Sequence, residues 1–121
     1  MDINNMTLVK KRILTMDPNT SGDLLRELAE DSDLAIKARV GRHPNTPEDV
    51  LYKLSQENSE IIRYWVAHNL NSSSKILVML LEYEKNLRKL DNDIIRVLYA
   101  HKNLPHIAKI IIETLFGKWV L

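Results

Sequence analysis

The sequence predicts an all-α protein built as a solenoid of about four short helical repeats. The tripeptide Pro18-Asn19-Thr20 recurs 26 residues later as Pro44-Asn45-Thr46, and Leu70-Asn71-Ser72 follows after the same interval. A period of this size is typical of supersecondary units that stack on one another. The chain has 121 residues and 45% hydrophobic side chains, which is enough to bury one continuous core. We therefore expect a single helical-repeat domain over residues 1–121.

Each repeat predicts two helices joined by a short turn, because its apolar residues fall on one face at helical spacing. In the second helices, Ile36 and Val40 align with Ile62 and Val66 without a gap. The aligned positions of the first helices are Leu24, Leu25 and Leu28, then Val50, Leu51 and Leu54, then Ile76, Leu77 and Leu80. We expect these equivalent residues to form the core.

The polar residues of the corners predict where the helices begin. Thr46 stands three residues before Asp49 with a proline between them, which approximates a capping box. Thr20 and Asp23 repeat this arrangement with Ser21 in place of the proline, and Asp33 and Ser59 are the expected caps of the second helices. A helix pair is therefore predicted in each unit from its capping residues as well as from its apolar pattern.

Both ends of the chain depart from the repeat. Residues 6–16 are expected to supply half a unit, with four apolar side chains facing inwards, and residues 82–90 insert extra chain. The insertion predicts a longer helix after the third corner. The inward residues of the first segment are Leu8, Val9, Ile13 and Leu14, and the longer helix is expected to run through Leu77, Leu80, Leu81, Leu87 and Leu90.

The segment 107–121 is the most apolar part of the chain, with three consecutive isoleucines from Ile110 and a tryptophan at Trp119. Two explanations compete for this excess of apolar surface. Either the long helix encloses the segment, or the segment is self-complementary and the protein forms a homodimer through it. The sequence favours enclosure for most of the segment and leaves the dimer as the alternative.

The repeat resembles a known family. Its second helix reads apolar, basic, any, small or apolar, Val, then Gly or Ala, and is followed by Pro-Asn-Thr-Pro and Leu-x-x-Leu, a pattern similar to the leucine-rich-repeat-variant family. The resemblance covers residues 16–103 and is strongest from Pro18 to Leu70. It implies α/α or α/3-10 helix pairs stacked into a right-handed superhelix related to HEAT and armadillo proteins. One family member binds an iron–sulfur cluster through N-terminal cysteines, and residues 1–12 contain none.

The composition argues against several classes of function. The chain contains no cysteine, which excludes disulfides and thiolate metal sites, and its four histidines lack partners at ligand spacing. No phosphate loop, nucleophile elbow or zinc-protease motif is present. We expect neither a cofactor nor an enzyme, and a likeness to HEAT-like DNA glycosylases is one of architecture alone. The absence of a leader or a long apolar run predicts a cytoplasmic protein that does not enter a membrane.

The charge pattern favours a protein partner over nucleic acid. The formal net charge is only +1, so attraction to a phosphate backbone would depend on a local patch. Lys37 and Arg63 each follow an acid by six residues, Asp31 and Glu57, which favours a ladder of ion pairs between repeats over ligand binding. Recognition of a protein of unknown identity is therefore expected through the residues at the second helices and corner, Arg39, Arg42, His43, Trp65 and His68. The alternative nucleic-acid surface comprises Lys37, Arg39, Arg42, Arg63 and His68.

Overall fold

A computed structural model describes residues 3–87 and 92–117 of the chain. Eight α-helices and one turn of 3-10 helix make up the regular structure of these residues, and none of them forms a strand. The all-α prediction is confirmed. After the 3-10 turn Ile3–Asn5, the helices are α1 (Leu8–Met16), α2 (Gly22–Leu28), α3 (Leu34–Arg42), α4 (Glu48–Leu54), α5 (Glu60–His68), α6 (Ser74–Leu87), α7 (Asp93–Ala100) and α8 (His106–Phe116).

The helices pair as the sequence repeat predicts, α2 with α3, α4 with α5 and α6 with α7, and both members of each pair are α-helical. The second helices also pack on one another. Helix α3 lies between α1 and α5, and α5 lies between α3 and α7. We call this row of α1, α3, α5 and α7 the second-helix layer. The core lies between this layer and the first helices.

The predicted core is confirmed except at Leu24, which is only partly buried against it. Leu28 and Leu54, Ile36 and Ile62, and Val40 and Val66 are each at most 1% exposed. Equivalent residues therefore occupy equivalent buried positions, and apolar burial of this kind is the main favourable contribution to folding.

The prediction for the N-terminal helix is wrong. Leu8, Val9 and Ile13 are 41%, 64% and 59% exposed, and only Leu14 packs partly against the core. The reason is the position that these residues hold within the 26-residue repeat. Val9 and Ile13 stand 26 residues before Ala35 and Arg39, which lie on the outward side of α3.

The corner threonines do not cap the following helices, contrary to the sequence prediction. Ser21 is the N-cap of α2 and Pro47 that of α4, one residue later than expected. The hydroxyls of Thr20, Thr46 and Ser72 instead donate backwards, to the carbonyl oxygens six residues earlier, at 2.5–2.6 Å. They satisfy carbonyls at the end of the preceding helix, which have no partner within that helix.

The two expected caps of the second helices, Asp33 and Ser59, differ in their side-chain hydrogen bonds. Asp33 caps α3 as predicted, because its carboxylate accepts from the backbone N–H groups of Ala35 and Ile36. Ser59 stands at the N-cap of α5 but makes no side-chain capping bond there. The backbone enters both helices at the expected place, and only one of the two is held by the predicted hydrogen bond.

Each corner is bonded to the preceding one through a buried polar side chain. His43 Nδ1 accepts from the backbone N–H of Asn45, so its proton lies on Nε2, which donates to the Asp17 carbonyl at 2.7 Å. Asn69 holds the equivalent position and donates to the carbonyls of Gly41 and His43 at 2.8 and 3.0 Å.

His101 continues the series with a ring nitrogen 2.8 Å from the Asn69 carbonyl oxygen, while its other ring nitrogen accepts from the N–H of Asn103. A second series lies two residues further on. The amides of Asn45, Asn71 and Asn103 each donate to carbonyls of the preceding corner. We call these two series together the corner ladder.

The C-terminal part of the fold matches the prediction only in its long helix. Helix α6 has 14 residues, Ser74–Leu87, whereas Leu90 lies outside the described residues. Helix α8 packs on α7 and not chiefly on the long helix, and it buries only Ala108 and Ile112. Ile107, Ile110 and Leu115 are 65%, 42% and 53% exposed, so the predicted enclosure is wrong for most of the described segment. Trp119 also lies outside the described residues, and the homodimer through this segment stays a prediction.

We expect Leu54→Ala to lower the free energy of unfolding by about 2–5 kcal/mol, because Leu54 is fully buried and its truncation leaves a cavity. Urea denaturation followed by circular dichroism measures this change. Leu70→Ala is the matched control, since Leu70 is 63% exposed, and it should change the stability by less than about 0.5 kcal/mol. Equal effects of the two variants would contradict the assigned core.

We expect Asn69→Ala to destabilise the protein by about 2 kcal/mol, because the Gly41 carbonyl and the N–H of Asn71 lose the partner they have in Asn69. The His43 carbonyl loses one of its two hydrogen bonds and keeps the one from the N–H of Thr46. Asn69→His should recover most of this loss, since histidine occupies the equivalent position in the neighbouring corners at His43 and His101. Thermal and urea unfolding compare the three proteins. If the histidine variant is no more stable than the alanine variant, the two side chains are not equivalent in the ladder.

Candidate recognition surface

A second ladder, made of ion pairs, connects each second helix to the following unit. Lys11 pairs with Asp31, Lys37 with Glu57 at 2.8 Å, and Arg63 with Glu84 at 2.9 Å. The three bases stand at the same position of α1, α3 and α5. Of the two alternatives for Lys37 and Arg63, the structure therefore favours the ion-pair ladder. Two of the bases assigned to the alternative nucleic-acid surface are thus engaged in ion pairs, and that surface stays a prediction.

Arg63 is the most deeply buried base of this ladder. Its side chain is 4% exposed and that of Glu84 is 1% exposed. The guanidinium also donates to the Asn58 carbonyl at 2.7 Å and lies over the ring of Tyr83, while the amide of Asn92 donates to the second Glu84 oxygen. A buried ion pair is tolerated when its remaining hydrogen-bonding groups are satisfied in this way. Arg63 is thus a structural residue that no partner reaches.

The histidine predictions require a correction. His43 is 3% exposed and both of its ring nitrogens are engaged in the corner ladder, so it is not available for contact with a partner. The residue that corresponds to His101 in the preceding unit is Asn69 and not His68. His68 lies one residue earlier, on the exposed side of α5, as the partner-contact prediction requires.

Trp65 is built into a cluster of side chains at the surface and does not project from it. The guanidinium of Arg42 lies 4.9 Å from its ring centroid, and the rings of Tyr64 and His68 lie 5.1 and 5.5 Å away. Trp65 is only partly exposed. The structure therefore brings Arg42, Trp65 and His68 together, as predicted, and Arg39 lines the same cleft as Arg42 and Trp65.

Among the clefts lined by described residues, three lie on the outward side of the second-helix layer, each between two neighbouring helices. The cleft between α1 and α3 has a volume of about 340 Å³ and is lined by Met16, Arg39 and Arg42 among others. The next, between α3 and α5, has about 370 Å³ and is also lined by Arg39 and Arg42. The third, between α5 and α7, has about 430 Å³ and includes Tyr64 and Asp93. The two arginines thus form a ridge between the first two clefts.

This surface is rich in cations and apolar groups on its α1 and α3 side. Neither of these helices contains an acidic residue. Lys10, Arg12, Arg39 and Arg42 make no ion pair with any residue that the structure describes. The exposed apolar side chains around them are Val9 (64%), Ile13 (59%), Met16 (67%), Leu34 (52%) and Ile61 (50%). We call the outward side of α1, α3 and α5 the recognition face.

The sequence analysis missed Met16, Leu34 and Ile61 because apolar residues on an amphipathic helix are ordinarily assigned to the core. The sequence repeat itself indicates that two of these residues do not belong to the core. Leu34 and Ile61 fall just outside the aligned core positions Ile36 and Ile62, so they project to a different side of their helices.

Comparison of the chain with protein-family models, with curated proteins and with solved structures finds no match. No helix in the described part of the chain has the length and apolar character needed to cross a bilayer. Within residues 3–87 and 92–117, no three histidine, aspartate or glutamate side chains converge as metal ligands would.

The exposed ends of the first helices carry further ion pairs, Arg26 with Asp49 and Lys53 with Glu30. Each base donates a hydrogen bond to its acid and holds the pKa of that carboxyl below its ordinary value. In the ladder, the hydrogen bond from Lys11 is the main reason why the pKa of Asp31 lies below its ordinary 3.8, and the N–H of Asp33 contributes as well.

A carboxyl group whose pKa is lowered by folding stabilises the protein above its unfolded pKa, and this contribution disappears as the pH falls through the folded value. We therefore expect Asp31→Asn to be less stable than the wild type near neutral pH, with the difference shrinking below about pH 4. Urea midpoints between about pH 7 and pH 2.5 measure this. Glu27→Gln is the control, because Glu27 makes no ion pair with a described residue. A pH-independent deficit in Asp31→Asn would contradict the role of the Lys11 pair.

Proposed function

We propose that the chain is a non-catalytic module for protein recognition or assembly, and that its recognition face is the contact surface. Its helix pairs are proposed to form a right-handed solenoid of about four short repeats, of the kind found in the leucine-rich-repeat-variant family. The observation that carries the proposal is the series of clefts between successive second helices, bordered by exposed apolar side chains. A monomer that exposes clustered apolar groups in this way commonly uses them to bind another protein.

The predicted contact residues are retained with one exception. Arg39, Arg42, Trp65 and His68 remain the proposed contacts, and His43 is replaced by the apolar neighbours Leu34 and Ile61. Arginine and tryptophan are frequent among the residues that contribute most to protein interfaces.

Nucleic acid is the second candidate, because four cations on α1 and α3 make no ion pair with a described residue. Two observations favour protein. Base stacking requires an open aromatic face, and the Trp65 ring is enclosed by Arg42, Tyr64 and His68. The cations also alternate with exposed apolar side chains, for which a phosphate backbone has no counterpart.

A random peptide library displayed on phage tests the proposal. We expect selection on the wild type to enrich peptides that bind the double variant Leu34→Ser, Ile61→Ser at least about tenfold more weakly. Both side chains are half exposed, so the substitutions should leave the fold intact, which circular dichroism checks.

Labelled single-stranded and duplex DNA and RNA are titrated in parallel at low salt. Binding of nucleic acid that is tight, falls steeply with added salt and is lost in Arg39→Ala, Arg42→Ala would overturn the proposal in favour of the second candidate. Failure to enrich any peptide that depends on the recognition face would also overturn it.

A further inference from the structure

We propose that the occupant of the recognition face is an extended acidic segment of a partner protein with an apolar residue at every third position. This inference rests on the proposed function and specifies the chemistry of the partner. It is carried by the charges of α1 and α3 and by the spacing of the two clefts that flank the arginine ridge.

The ion-pair ladder neutralises only some of the bases on α1 and α3. The ladder neutralises one base on each of α1 and α3, namely Lys11 and Lys37. The remaining bases of the two helices, Lys10, Arg12, Arg39 and Arg42, have no acidic counterpart on their own helices. Since the chain as a whole is nearly neutral, this excess is local. A partner that covers it must bring carboxylates, because like or neutral charge would leave these cations desolvated without compensation.

The distance between the two clefts sets the spacing of the apolar residues in the proposed partner. Each lies in a groove between neighbouring helices of one layer, and packed helices have axes about 8–10 Å apart. A chain that crosses the helices therefore meets a cleft at about this interval. In the polyproline II conformation, side chains three residues apart point in the same direction and are separated by about 9 Å.

Arg39 and Arg42 both line the cleft that contains Met16 and the cleft that contains Leu34 and Ile61, so they stand between two pockets. The apolar groups of the first pocket are Met16, Pro18 and Pro44, and the second is mainly apolar. An apolar side chain in each pocket places the two intervening residues of an extended segment over the arginine ridge. Aspartate or glutamate at these two positions pairs with the guanidinium groups of Arg39 and Arg42.

The experiment uses three labelled synthetic peptides of equal length and fluorescence anisotropy with the wild-type protein. The first has leucine at every third position with aspartate or glutamate between. The second has the same composition with its leucines adjacent, and the third has lysine in place of every acid. We expect the first to bind at least about tenfold more tightly than either of the others and to weaken as salt is added.

Variants of the protein locate the site. Arg39→Ala, Arg42→Ala should weaken the first peptide by roughly tenfold or more. Lys102→Ala, Lys109→Ala removes the same charge from the other end of the molecule and should leave binding within about twofold. Leu34→Ser, Ile61→Ser tests the apolar pocket, and circular dichroism verifies that each variant is folded.

Equal binding of the first two peptides would overturn the proposed spacing, and equal binding of the lysine peptide would overturn the charge argument. Preference for a single-stranded oligonucleotide of the same charge, lost in the double arginine variant, would overturn the choice of a protein partner. The proposed function is tested separately. If the displayed library yields ligands that depend on the face but lack acids, this inference fails while protein recognition stands, and if it yields none, both fail.

Discussion

The arrangement of the helices depends on hydrogen bonds that the side chains of one corner donate to backbone carbonyls of the preceding corner. A carbonyl at the end of a helix has no partner within that helix, and burying it unpaired is costly. Here the side chains of His43, Asn69 and His101 donate to carbonyls at or just beyond the helix ends of the preceding corner, and asparagines two residues later reach the adjoining ones. The carbonyls of Asp17, His43 and Asn69 also accept from a backbone N–H within their own corner, so the side chains supply the link between corners. Each unit is therefore completed by the following unit, which keeps the second helices side by side and in register.

This constraint explains which parts of the fold could be predicted from the sequence. Helix pairs and core residues such as Leu54 and Val66 were predicted correctly, because apolar spacing is a local property and equivalent positions reinforce one another. The corner side chains were not. Thr46 can cap the next helix or bond to the carbonyl of Val40, and His43 can point to solvent or to Asp17. The choice depends on contacts with a neighbouring unit, which a local pattern does not contain.

The candidate site was predictable only in part, for a related reason. Lys37 and Arg39 are two residues apart on one helix, yet the first pairs with Glu57 and the second lines two clefts. The expected ladder related each base to the acid six residues before it, whereas the actual pairs are 20 or 21 residues apart, as in Lys11 with Asp31. The spacing of 20 or 21 residues is visible in the sequence. It indicates an ion pair only when the lengths of the helix and the turn between the two residues are known.

The ladders and the recognition face follow from the same stacking. One base on each of three successive second helices is used to join the units, so the bases left on the outward side form rows whose spacing is that of the helices themselves. The rows are not uniform. Helix α1 contributes exposed apolar groups, α3 the arginine ridge and α5 the Trp65 cluster, while Glu60 and Asp93 line the cleft between α5 and α7. Both acids lie away from the cations of α1 and α3, and Asp93 is paired with Arg96 at 2.9 Å. The cleft on the α7 side therefore adds no free acidic charge to balance those cations.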